Sequence, residues 1–292
     1  MNAQRAAWWF LAPALLVLGV FFLLPVLAAL GLSLTDYDLY ALADIRHLRF
    51  VALGNYWDLL HQPKFWSALG HTFYFVLVGV PLSIMVSLGA ALLLHSPLAR
   101  CKPFFRTALF APVVTTVAAV ALVWRYIFNT KYGMANYVLG AVGIHPVDWL
   151  GDPHWAMPTI ILFAVWKNFG YNMIIFLAGL QAIPGDLYEA ARIDGASPLQ
   201  QFRHITLPML TPTLLMVSIL TVSGYFQLFA EPYVMTEGGP LQSTTSVLYL
   251  MYNEGFRWWN FGTASAVAFL LFVIMFAFTA LMLRVARRGA AA

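Results

Sequence analysis

Six stretches of this chain are too long and too apolar to be the elements of an ordinary water-soluble domain. Trp8 to Leu34 is 27 residues without a charge, Thr72 to Leu94 is 23, and Thr107 to Trp124 is 18 and can continue past Arg125 to Phe128. Trp155 to Ile183 is interrupted only by Lys167, and Ile205 to Ala230 and Trp258 to Leu283 are 26 residues each. A helix needs about 20 mostly apolar residues to cross a bilayer. Hydrocarbon offers no partner to a free amide, so each stretch is expected to be helical. The expected fold is therefore all-α, a polytopic membrane protein with six transmembrane helices.

Composition supports the same class. Only 10% of the 292 residues are charged and 61% are hydrophobic, against about 25% charged in soluble domains. That excludes a typical cytosolic enzyme, a disordered regulator and a nucleic-acid binder; the net charge of +4 is too small for the last. The single Cys101 can form neither an internal disulfide nor a thiolate cage. A cleavable signal peptide has an apolar core of about 7–15 residues. The first run is nearly twice that and contains Pro13 and Pro25, so it is read as a retained span.

Lys and Arg in the connections set the orientation. With the N-terminus in the cytoplasm, nine basic residues fall inside: Arg5, Arg100, Lys102, Arg106, Arg192, Arg203, Arg284, Arg287 and Arg288. Five fall outside: Arg46, Arg49, Lys64, Lys131 and Arg257. Both termini are thus expected in the cytoplasm of a bacterial-type plasma (inner) membrane. Two regions are expected: 1–70, with the first helix and first outer loop, and 71–288, with the other five helices.

One inner connection is large enough to be a device. Between Pro184 and Pro212 the chain reads PGDLYEAARIDGASPLQQFRHITLPMLTP. Asp186 is placed as the N-cap of a helix, with Glu189 three residues on, as in a capping box. Gly195 falls where a C-cap glycine belongs. Ser197, Pro198 and Gln200 then form the N-cap, first and third positions of a second helix. Leu187, Ala190 and Ala191 share one side of the first helix at i, i+3 and i+4, a shallow apolar face that a partner can approach closely. A re-entrant corner that only packs on neighbouring spans would have the same local chemistry.

This segment resembles the EAA loop of binding-protein-dependent ABC importer permeases. The matching residues are Glu189-Ala190-Ala191, Asp194-Gly195-Ala196, Phe202 and Ile205-Thr206-Leu207-Pro208. Phe176 to Pro184 (FLAGLQAIP), Tyr233 to Thr236 (YVMT), Gly238-Gly239-Pro240 and Ser243-Thr244-Thr245 are similar to the carbohydrate-importing, maltose-transporter-like branch. The resemblance covers roughly residues 70–285 and implies a type I permease fold, with the coupling loop at 184–208. It also implies that Glu189, Ala190, Ala191, Asp194, Gly195 and Ala196 dock into a cytoplasmic ATPase subunit. Its implied partners are a second permease chain, two ATPase subunits and an extracytoplasmic sugar-binding protein. No Gly-Lys dipeptide occurs, so the chain has no G-x-x-x-x-G-K phosphate loop. It is expected to be no enzyme and to bind no cofactor, with ATP and Mg used by the partner ATPase.

Polar residues in spans default to functional hypotheses. Lys167, Asn168, Tyr171 and Asn172 in the fourth span, and Tyr225 and Gln227 in the fifth, are candidates for the substrate path; helix–helix hydrogen bonding is the alternative. Arg125 is expected to reach an interface or a neighbouring helix. Gly238, Gly239 and Pro240 are either a structural turn or the loop facing the binding protein. The seven histidines form no i, i+4 pair, which disfavours zinc. The expected function is import of a mono- or oligosaccharide. A glycerol-phosphate or polyol importer is the alternative, and further off an ion-coupled secondary transporter, against which stands the placement of all twelve acidic residues outside the spans or at their edges.

Overall fold

The computed structural model describes residues 3–290, with the side chains of residues 3–7, 42, 45 and 286–290, Arg5, Arg287 and Arg288 among them, outside the described set. Among the described residues there is no strand, only an isolated antiparallel bridge between Thr35 and Phe50. Four helices have the length and hydropathy of a span: Trp8–Ser33, Pro63–His95, Pro153–Gln181 and Phe261–Val285. The remaining two apolar stretches are helical as expected, each as a pair of helices bent at a break, which gives up to six spans among the described residues. Lys102–Val114 and Val117–Ile127 meet at 99°, and Pro198–Met209 and Thr211–Phe226 at 66°. At the first break Thr115 and Thr116 are both extended, at ψ 152° and 134°.

The chain divides into two compact units. One comprises the residues up to Trp66 together with Val247–Ile274. In it no residue of the most apolar part of the first span is buried, as expected of a surface that meets lipid or another chain. The turn after it is tied down by Asn55, whose Nδ2 donates to the carbonyls of Ser33 and Thr35 at 2.8 Å each. Gly262, at the start of the last span, donates its N–H to Tyr37 O at 2.9 Å. Lys64 lies over the Trp258 ring at 5.5 Å. Burial pushes the Glu254 carboxyl up, opposed by a hydrogen bond from Asn260 and the charge of Lys64.

The other unit is Ser67–Ser246 with the chain from Met275 onward. Its centre is the fourth span, buried on most of its faces: Phe163, Met173 and Phe176 are fully enclosed. Near Gln181 it packs with Ala91, Leu94, Leu210 and Val217 in one apolar core. At the Pro153 end the core is aromatic. Trp124 contacts Phe128, Phe163 and Trp166 with centroids 5.2, 5.5 and 5.0 Å away, in the offset and edge geometries that ring quadrupoles favour. Asp152 caps this helix by accepting from His154 N at 2.8 Å, and that contact holds its carboxyl below the usual range. The connection before it is ordered by Asn136, whose amide bonds Thr130 O, Val147 O, Val147 N and Trp149 Nε1.

Candidate functional site

The corner at 184–208 is built largely as its sequence dictates, with one correction. The first helix is Gly185–Ile193 and its N-cap is Pro184, with no side-chain capping bond; Asp186 lies in the first turn instead. Helical geometry thus begins one residue before Asp186, which leaves its carboxylate complementing the helix dipole from inside. The C-terminal end follows the expectation. Gly195 has φ +75°, its N–H bonds Arg192 O at 3.1 Å, and Ala196 N bonds Ala191 O at 2.8 Å. This is the paired closure of a Schellman motif. Ser197 and Gln200 then form a reciprocal capping box. Tyr188 is hydrogen-bonded to Thr206 at 2.9 Å, pinning the corner to the π-helical turn Phe202–Thr206.

The corner presents apolar side chains among charged ones. Leu187, Ile193 and Leu199 are 41, 87 and 75% exposed, while Glu189, Ala190, Asp194 and Gly195 are also exposed and Ala191 and Ala196 half-buried. A soluble surface has little reason to hold such side chains in water unless something covers them.

The polar candidates in the spans converge. Asn168, Tyr171 and Asn172 line one cavity with Tyr225 and Gln227, a space of about 280 Å³ within this unit. Phe75, Val113, Ala164, Leu220, Thr221, Gly224, Leu228 and Glu231 complete its walls. Asn168 donates to Ala164 O at 3.0 Å. Asn172 Nδ2 donates to Thr221 Oγ1 at 2.9 Å, which leaves its carbonyl oxygen as an acceptor. Tyr225 stacks on Phe75 at 4.9 Å. Tyr171 is half-exposed and Gln227 exposed.

Lys167 stands apart from these five. It is not among the residues lining the cavity; it is 4% exposed, and Nζ donates to Val113 O at 3.1 Å. That carbonyl belongs to the last turn of Lys102–Val114, where carbonyls lack intrahelical donors. Lys167 therefore closes the open end of a broken helix. Glu231 is the lining residue the sequence reading left at the edge of a span. It lies on the short helix Ala230–Met235. Burial pushes its carboxyl up, and the Lys167 ammonium opposes that rise. The signal available for it was an acid directly after an apolar run.

Arg125 reaches a neighbouring element: Nη1 donates to Val234 O at 3.0 Å. A second cavity of about 410 Å³ opens beside it, lined by Asn129, Thr130, Asp148, Thr236 and Glu237 among others. The Gly238-Gly239-Pro240 loop adjoins Glu237. Gly238 is at φ +82° and the Gly239–Pro240 bond is cis. Thr244 and Thr245 donate to the carbonyls of Gly239 and Gly238 at 2.8 and 3.2 Å, and His71 Nδ1 is 3.1 Å from Thr245 O. Leu241 at its tip is 91% exposed.

Asn172→Ala is expected to remove the bond to Thr221, enlarge the cavity and lower stability by about 0.5–1.5 kcal/mol. The thermal midpoint of the purified variant checks this; an unchanged midpoint would show that the bond does not hold the two spans together.

Residues 51–289 match the family described as binding-protein-dependent transport system inner membrane component. The lactose transport system permease protein LacF of Rhizobium radiobacter is 38% identical over 273 residues, 92% of this chain and 89% of that protein. The trehalose/maltose transport system permease protein MalF of Thermococcus litoralis is 37% identical over 275 residues, 94% of this chain and 91% of its own. A chain in the crystal structure of a bacterial alginate ABC transporter, in complex with an alginate pentasaccharide-bound periplasmic protein, has the same fold. It has a TM-score of 0.80 at 20% identity and covers 98% of this chain and 95% of that one.

Proposed function

This chain belongs to the binding-protein-dependent transport system inner membrane components, and on that premise we propose that it forms half of the path by which an ABC importer takes up a neutral mono- or oligosaccharide. It is a multi-pass membrane protein and a transport subunit. The observation that carries the sugar reading is the cavity. Three amide side chains, a threonine hydroxyl and aromatic rings meet in one space. Amides supply both donors and acceptors to hydroxyls, and ring faces suit the C–H faces of a pyranose. The curated relatives named for lactose and for trehalose and maltose support this class over a glycerol-phosphate, a polyol or an ion-coupled mechanism.

In this reading the 184–208 corner faces the cytoplasm, as do both termini, and the Gly238–Pro240 loop faces the delivering protein. The exposed apolar side chains of the corner fit a cleft in an ATPase subunit, which uses ATP and Mg. A second permease, a different chain, completes the path, so that two corners meet two ATPase clefts. ATP-driven closure moves the corners together. Each corner is a rigid lever, because its two helices are joined by a Schellman closure and a capping box rather than by a loose loop.

Uptake of labelled lactose, trehalose and maltose by the complex reconstituted with its binding protein tests the function. ATP-dependent accumulation of at least one supports it; uptake that persists without the ATPase subunits refutes it. Gly195→Val tests the lever. A β-branched residue at φ +75° costs about 1–3 kcal/mol, although no atom lies within 4 Å of the added Cβ. The variant is expected to insert and assemble but to hydrolyse ATP with uptake at least about tenfold lower. Normal uptake would remove Gly195 from the coupling role.

A further inference from the structure

The cavity wall carries a carboxylic side chain and no basic one. Among the described residues, no lysine, arginine or histidine lines it, and the one carboxylic side chain that does is Glu231. Lys167 is not among the lining residues, and its ammonium donates to Val113 O at 3.1 Å. The Glu231 helix, Ala230–Met235, follows the fifth span directly.

We propose that Glu231 makes this cavity a charge filter, open to neutral sugars and closed to sugars bearing a carboxylate, phosphate or sulfonate. The inference rests on the sugar reading above and narrows its substrate class. A hydroxyl leaving water needs only hydrogen bonds in return, and Asn168, Asn172 and Gln227 offer them. An anion leaving water needs an opposite charge. Here it finds none in the wall and meets a carboxylic group instead. Lys167 cannot turn inward without abandoning the helix end that it closes. Glu231 is thus placed to accept from sugar hydroxyls while raising the free energy of any anionic competitor.

The test uses the assembled complex in lipid nanodiscs without the binding protein, so that only the permease path selects. Saturation-transfer NMR compares lactose, trehalose and maltose with the same disaccharides carrying a carboxylate in place of one CH2OH. In the unaltered complex the carboxylates are expected to bind at least about tenfold more weakly than their parents. Glu231→Gln, which keeps the shape, should narrow that ratio, and Glu231→Lys should invert it. Each ratio is internal to one preparation, so partial loss of protein does not alter it; if the lysine variant fails to assemble, the first two preparations decide. Carboxylates that bind as well as their parents in the unaltered complex overturn the filter, as does a ratio unmoved by Glu231→Gln. Silence from all three neutral sugars in an intact complex overturns the sugar reading itself, a result distinct from either.

Discussion

Gly170→Leu is expected to abolish accumulation of a folded protein, and Gly170→Ala to lower its stability by about 1–3 kcal/mol, the cost of forcing atoms into a packed interior. A Cβ at Gly170 would lie 2.3 Å from Leu109 O and 3.0 Å from Phe110 Cα. Both are backbone atoms, so no side chain can rotate away, and the two helices must separate. Small residues are the general means by which helices approach closely in a bilayer. The damage does not stop at position 170. Lys167 is one turn before it on the same face, and Val113 one turn beyond Leu109, so the close contact and the Lys167–Val113 bond are adjacent rungs of one interface. Fluorescence-detected size exclusion of a tagged protein, with a thermal series, measures the effect. Gly140→Ala is the control: nothing lies within 4 Å of its added Cβ, and stability should hold. A normal elution profile and melting midpoint for Gly170→Leu would show that the interface yields more easily than its backbone contacts imply.

The apolar runs made most of the fold readable because hydropathy and length are local properties. The corner at 184–208 was readable for a similar reason: a positive φ at Gly195 and a capping box at Ser197 and Gln200 are decided within a few residues. Asp186 shows the limit, since the helix begins at Gly185 and its N-cap is Pro184. The break at Thr115–Thr116 was hidden, because threonines inside an apolar run carry little signal; what stabilises the break is Lys167, more than fifty residues away in sequence. The same distance hid the role of Lys167, which as an isolated intramembrane cation reads equally as a substrate contact. Asn168, Tyr171, Asn172, Tyr225 and Gln227 were found individually by polarity within spans. Their convergence required the packing of the fourth span on the fifth. Glu231 was visible as an acid at a span edge, but not as a wall of the cavity, because the short helix that turns it inward has no sequence period long enough to read.

Lys167→Met should cost about 1–3 kcal/mol, the penalty for leaving a half-buried carbonyl without its donor, and reduce uptake further than that loss alone explains. Methionine fills nearly the same volume, so packing is largely kept and the charge and donor are what disappear. Val113 O then faces no donor from position 167, and the last turn of Lys102–Val114 also loses a cation at its negative end. The break is held at 99° with Val113 in the cavity wall; a helix end free to drift therefore reshapes the cavity from one side. Glu231 loses the opposing charge of Lys167 at the same time. Because both effects pass through a shared pair, the cost of Lys167→Met should shrink in a Glu231→Gln background, a non-additivity of about 0.5–3 kcal/mol. Lys167→Arg keeps a donor and a charge and should restore part of the stability. Thermal midpoints of the four combinations, read alongside uptake at saturating sugar, separate the two contributions. If the double variant lost the sum of the single losses, the two charges would be independent and Lys167 would act on the helix break alone; if Lys167→Met were as stable as the parent, the ammonium would not be what holds the break.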